Sequence, residues 1–264
     1  MDTDYTLAYG THATPEEGRC AMEWVSYLAG EPHGDQPVCV SPVLRAFCVA
    51  MNDGLEDAPR QRLRPYLGRT IGTADDGLDE WRAWLAMDWL IRTYTPAWLS
   101  GAGLDRAAGR LLSLPAISSP RDLPAAIEAL AFARHGARAA WGAGAGTWLP
   151  SGLGPRVAAR QMAWASAAAA AWAAARLGIG DIAGDRARAA ARAAAGDAAA
   201  AVARGARSGG GRSATREAAR SVLAPTTQEL QESAFVLLDR MLPTVAIARP
   251  ERAGGLSPLV ALGA

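Results

Sequence analysis

Apolar residues recur every three or four positions along much of this chain, most clearly from Thr73 to Leu99. Leu78, Trp81, Leu85 and Trp89 fall on one stripe, which Trp84, Met87 and Ile91 widen. That spacing is the 3.6-residue period of an α-helix with a broad buried face. Thr73 reads as the N-cap, with Asp75, Asp76, Asp79 and Glu80 in the first turns and Arg92 in the last. This charge order suits the helix dipole. Thr95-Pro96 is expected to stop or kink the helix, because proline disfavours helical geometry in the residue before it. An indole buries roughly 150–250 Å², so the segment reads as the keel of an apolar core.

Similar patterns flank it. Tyr5, Leu7 and Tyr9 alternate, as in a short extended arm lying on the core. Thr14-Pro15-Glu16-Glu17 has the form of a capped helix start, followed by Cys20, Ala21, Trp24, Val25 and Leu28 on one face and Gly30 at the end. Ser41-Pro42 opens a second helix with the stripe Leu44, Phe47, Cys48 and Met51, and a short helix fits Arg60 to Leu67. Beyond Gly101 one helix is expected from about Pro120 to His135, with Ser119 as N-cap and His135 near its C-terminal end. Pro155 to Leu177 is a further helix, and Asp181 to Arg207 is helical by its alanine content. The last runs from Thr227 to Leu242 behind a capping box, Thr226 to Glu229, with Leu230, Ala234, Leu237, Leu238 and Met241 as its stripe. Ser208 to Gly211 reads as flexible and the tail from Pro243 as loose.

The pattern predicts an all-α protein in which a Trp-rich N-terminal bundle packs with an Ala-rich helical C-terminal half. Residues 1–100 form the Trp-rich unit, and 101–154 a Gly/Pro-rich connection with one helix. Residues 155–242 are the Ala-rich region and 243–264 the tail.

Composition narrows the chemistry. In 264 residues, hydrophobic residues make up 50% and charged ones 20%, which fits a folded chain with a sizeable core. All 27 basic residues are arginine. The absence of lysine excludes a Schiff-base lysine, a pyridoxal phosphate anchor and a P-loop lysine. The net charge of +1 conceals a split: 15 acids against 8 arginines up to Thr95, and 11 against 19 beyond it. Such a dipole favours intramolecular packing or head-to-tail association. The arginines beyond Asp181 lie among alanines without interleaved aromatics, which argues against a nucleic-acid surface. The apolar run Met162 to Ala175 is shorter than the ~18 residues of a membrane span. The acidic start MDTDYTLAYG does not look like an export signal, and with three cysteines this points to the cytoplasm and free thiols.

Two stretches carry a resemblance. EEGRCAMEWVSYLAGEPHGDQPVCVSPVL (Glu16 to Leu44) and AMDWLIRTYTPAWL (Ala86 to Leu99) resemble a family of hypothetical proteins encoded in actinobacterial genomes, and the alanine-rich segment ahead of LQESAFVLLDRM (Leu230 to Met241) is similar in style to their back halves. The resemblance implies a cytoplasmic protein of a high-GC bacterium or its phage. No activity is attached to that family, so it assigns no functional residue.

Candidate chemistry concentrates near the N-terminus. Cys20, in the second turn of the expected helix, could be lowered in pKa by the dipole, with His12 or His33 as base. Alternatively Cys20, His33, Asp35 and Cys39 offer zinc two thiolates, a histidine and a carboxylate. The plainer reading makes Cys20 a small apolar residue on the stripe with Trp24 and Leu28. Asp75-Asp76-Gly77-Leu78-Asp79 spells the DDxxD with which prenyl-diphosphate enzymes hold magnesium, but acids also belong at a helix start. Asp88 is a proton-transfer candidate if it faces the core, and an ion-pair partner of Arg92 otherwise. Glu23 and Arg19 are expected on a solvated face. Gly178 to Ala183 fits GxGxxA, but it follows a helix rather than the strand a dinucleotide site needs. The reading that results is a non-catalytic cytoplasmic binding or assembly protein, as a homo-oligomer or with a helical protein partner. The competing class is a small thiol- or metal-dependent enzyme built on Cys20, His33 and Cys39.

Overall fold

The computed structural model describes residues 5–145, 155–178 and 213–242, and among these every regular element is helical. An arm, residues 5–12, leads into α1 (Ala21–Ala29) and α2 (Pro42–Gly54). Then come α3 (Asp57–Arg60), a 3₁₀ turn (Gln61–Leu63) and α4 (Arg64–Thr70). Next is a continuous rod: α5 (Asp79–Trp89), a π-helical turn (Leu90–Tyr94) and α6 (Thr95–Gly101). α7 (Asp105–Leu112), α8 (Leu123–Ala145), α9 (Pro155–Gly178) and α10 (Ser213–Met241) follow. None of the described helices is long and apolar enough to cross a membrane.

The rod is the axis of the core. Trp84, Met87, Trp89, Leu90, Ile91, Tyr94, Trp98 and Leu99 are buried along it. They join a single apolar cluster extending from Leu7 to Leu242. α2 and α10 pack on α5, while α7 and α9 pack on α6, so the alanine-rich helices lie against the Trp-rich ones. On α8 the buried residues include Ala126, Ala129, Ala133 and Ala137; on α9 they include Ala159, Ala163, Ala167, Ala170 and Ala174. These spacings give each helix a smooth face of methyl groups, which lets the two backbones approach closely. The C-terminal half of α10 is fastened by Arg62–Glu232 (2.6 and 2.7 Å), Arg69–Asp239 (2.6 Å) and the Trp89 Nε1 bond to Ser233 Oγ (2.9 Å).

Pro96 does not end the rod. Proline lacks the N–H that would reach the carbonyl four residues back, and its ring crowds that carbonyl. The chain widens into a π turn just ahead of it, where the Leu90 carbonyl accepts both the Thr95 N–H five residues on and the Thr95 hydroxyl (2.8 Å).

Several helix ends differ from expectation. Thr73 is not an N-cap. Its hydroxyl accepts from Ser41 N (2.9 Å) and donates to Thr70 O (2.6 Å), and α5 waits until Asp79 because Gly77 is left-handed at φ 75°. Thr14 to Glu17 makes only a turn, and α1 begins at Ala21. Residues 101–154 hold two helices rather than the one expected, since α7 precedes α8 and buries Ala107, Ala108 and Leu111 on one face. α8 continues through Gly136 to Ala145, so His135 is an exposed mid-helix residue. α10 starts at Ser213 and passes through Pro225, placing Thr226 and Glu229 inside it. The Asp181–Arg207 helix, the Ser208–Gly211 hinge, most of the GxGxxA motif and the tail from Pro243 lie outside the described residues.

The largest correction concerns the face of α5. Trp81 is 46% exposed and Leu78 38%, whereas Arg82 is fully buried. Its guanidinium forms a fork on Asp76 (2.8 and 2.5 Å), lies 3.5 Å from Asp79, and donates through Nε to the Met241 carbonyl (3.0 Å). Two of the three DDxxD acids, Asp76 and Asp79, therefore face an internal cation, while Asp75 is exposed. Burial alone would raise the pKa of Asp76, but the bonds from Arg82 and from Leu78 N–H outweigh it and hold the carboxyl below its ordinary value. Ser41 Oγ donates to Asp79, tying the N-cap of α2 to the same cluster.

Two substitutions test this frame by urea denaturation. Arg82→Leu leaves Asp76 without its cation and should cost about 3–5 kcal/mol; Asp76→Asn in the same chain should return part of that loss. Trp89→Ala should likewise cost about 3–5 kcal/mol, and a loss under about 1 kcal/mol would place the core elsewhere.

Candidate functional site

The sequence candidates His12, Cys20 and His33 gather where the arm crosses α1 and α2. The arm is held by a row of side chains that engage its main chain. Gln61 accepts from Leu7 N (2.8 Å) and donates to Leu7 O (3.0 Å). Ala8 N donates to Arg19 O (2.8 Å), and Ala8 O accepts from Asn52 Nδ2 (3.0 Å). Asp53 accepts from Gly10 N (3.1 Å). His33 Nε2 donates to His12 O (3.0 Å), since a carbonyl can only accept. Leu7 alone among the described arm residues is fully buried, while Tyr5 stacks on Trp24 (3.9 Å between centroids) beneath the Arg64 guanidinium (4.6 Å).

Glu23 closes this clasp. Cys20 takes the N-cap position of α1, and the Glu23 carboxylate folds back to accept from Cys20 N (2.7 Å), from His12 N (2.7 Å) and from the His12 ring at Nδ1 (2.8 Å). Glu23 is therefore buried rather than solvated. Burial alone would raise its pKa, but the bonds from His12 and Cys20 bring it below the ordinary glutamate value. Gly18, at φ 134°, makes the return from arm to helix possible. A Cβ there would stand 3.0 Å from His12 Nε2.

This arrangement does not make a nucleophile of Cys20. The His12 ring is engaged by Glu23, and burial together with that carboxylate's charge pushes the Cys20 thiol up to about 12. Cys48 rises to about 12 by burial, and Cys39 to about 11 by burial and its hydrogen bond to Glu31. Reactive thiols need the opposite shift. Asp35 is partly buried in the 31–37 loop, and Cys39 lies against Glu31, whose carboxylate also accepts from Val38 N (2.7 Å) and Cys39 N (3.0 Å). Among the described residues no three His, Cys, Asp or Glu side chains converge to hold a metal ion. The zinc set Cys20, His33, Asp35 and Cys39 is thus not assembled. Asp88 accepts from Arg92 (2.9 Å) and from Ile117 N (2.8 Å), which makes it a tie between the rod and the loop after α7.

Sequence reasoning missed Glu23, Asn52, Gln61 and Arg82. Only Glu23 left a usable signal: the spacing Cys20-x-x-Glu23 is that of a capping box. The other three act across 40 residues or more, or through a buried charge, and no local pattern reports that.

Outside the clasp, the surface carries an uncovered apolar strip. Leu78 and Trp81 stand one turn apart on the outer side of α5, and half-buried Leu85 continues their line. Exposed Asp75 and Glu80 flank them. No family model, curated protein or solved structure matches this chain, so this geometry has to stand by itself.

The clasp sets a pH dependence. Glu23 and Asp76 have folded-state pKa values below their unfolded values of about 4. Their stabilisation is complete above the unfolded values and is lost as pH falls through the folded ones. Unfolding free energy measured from pH 6 downward should fall, and Glu23→Gln should flatten that slope; an unchanged slope would remove Glu23 as a contributor.

Proposed function

We propose that this is a cytoplasmic, non-catalytic helical binding and assembly protein that meets its partners through the outer face of α5. The observation that carries the reading is Trp81. On a helix whose other indoles, Trp84 and Trp89, are buried, this one is 46% exposed beside an exposed leucine. Large aromatics at the surface concentrate binding energy in protein interfaces, because burying them removes much apolar area at small entropic cost. A second feature supports it: several polar groups that suggested catalysis have structural partners, His12 with Glu23, Asp88 with Arg92, and Asp76 and Asp79 with Arg82. The rod supplies rigidity, so the exposed face is presented in a fixed geometry.

The test is Trp81→Ser. Its unfolding free energy should stay within about 0.5 kcal/mol of the parent, as for surface positions. Mass distributions measured by sedimentation over a range of concentrations should shift toward monomer. A parent chain that remains monomeric throughout and retains no protein partner, or a Trp81→Ser variant that assembles unchanged, overturns the reading.

A further inference from the structure

Charge identifies the kind of surface that the outer face of α5 can meet. Leu78 and Trp81 sit among acids: Asp75 and Glu80 are exposed, and Asp76 and Asp79 share the single cation Arg82. The mirror image of that composition occurs on α8. Ile127, Ala131, Arg134 and Arg138 recur at steps of four, three and four, which places them along one side of the helix, and all four are exposed. Ile127 is 43% exposed. Two further exposed arginines, Arg106 and Arg110 of α7, pack over Phe132 of α8 at 5.6 and 4.0 Å. Against them the same surface carries Asp105 and Glu128.

We propose that the partner of the α5 face is the α8 face of a second copy, so that chains join head to tail. The proposal rests on the assembly reading above and supplies its occupant. A two-fold contact of either face with itself would set acid against acid or arginine against arginine, and like charges placed together disfavour the pairing. Contact between the two different faces brings each apolar strip onto the other and each charge to its opposite. The small side chain of Ala131 leaves room for the Trp81 indole beside Arg134 and Arg138, where a guanidinium can lie over the ring. Because the two surfaces differ, the contact is heterologous, and repeated copies give a ring or an open chain. The split of charge between the acid-rich first 95 residues and the arginine-rich remainder has the same sense.

The experiment uses full-length chains in sedimentation. The parent should associate at low salt and dissociate as salt approaches about 1 M, where the screening length is about 3 Å. Arg134→Glu/Arg138→Glu and Asp75→Arg/Glu80→Arg should each weaken self-association roughly tenfold or more while circular dichroism stays unchanged. Mixing the two variants should restore it, since each then offers the face that the other lacks. If Trp81→Ser abolishes assembly but neither charge reversal does, the α5 face binds something other than α8 and the head-to-tail contact falls alone. If the parent is monomeric at all concentrations, the contact falls too. Should the α8 arginines instead bind an oligonucleotide that competes with nothing on α5, that face has a nucleic-acid partner and the proposal is overturned. Should either variant fail to fold, the salt dependence of the parent decides: association indifferent to salt rules out the charge pairing.

Discussion

A guanidinium with no exposure to water sits where the rod meets the end of α10, and the arrangement of the core depends on it. Burying a charge is costly unless its partners replace the lost hydration. Arg82 finds them in Asp76, Asp79 and the Met241 carbonyl. Those partners come from the loop before α5, from the first turn of α5 and from the last residue of α10. Satisfying one side chain thus fixes where α5 begins, how it is rotated about its axis and where α10 ends. The rotation turns Trp81 outward and Trp84 and Trp89 inward.

Length and smoothness do the rest of the organising. A π turn lets the helical rod continue past Pro96, so one unbroken element can carry both the N-terminal helices and the alanine-rich ones. Alanine contributes little apolar area per residue, and helices built from it gain from packing only when backbones come close. α8 and α9 meet that requirement with facing rows of methyl groups, and α9 in turn docks on α6. The bulky residues of the rod and the small residues of its neighbours are complementary halves of one core.

At the other end of the molecule, polar side chains rather than apolar ones order the arm. Gln61, Asn52, Asp53, Glu23 and His33 engage main-chain groups from Leu7 to His12. The histidines and the N-capping cysteine that look like chemistry in the sequence belong to this scaffold. Burial and the neighbouring Glu23 carboxylate keep the Cys20 thiol protonated, the reverse of what a thiolate nucleophile requires. Among the described residues the surface also carries an exposed aromatic strip with acids around it on α5 and an arginine-bearing strip on α8.

Periodicity by itself determined that the chain is helical, where most helices lie and which residues share a side of each. Those are consequences of local geometry, in which a 3.6-residue repeat is written directly into the order of side chains. The Ser41 cap, the α2 stripe and the Leu230 to Met241 stripe were legible for that reason. Only the tertiary structure decided which side of α5 faces inward. That helix is apolar on two sides, and the choice between them was made by a charge whose partners lie as far as 159 residues away. It also decided how the N-terminal end is tied together: Glu23 holds the His12 ring and the Cys20 N–H, while Asn52 and Gln61 grip the main chain of the arm from 44 and 54 residues away and leave no local trace in the sequence.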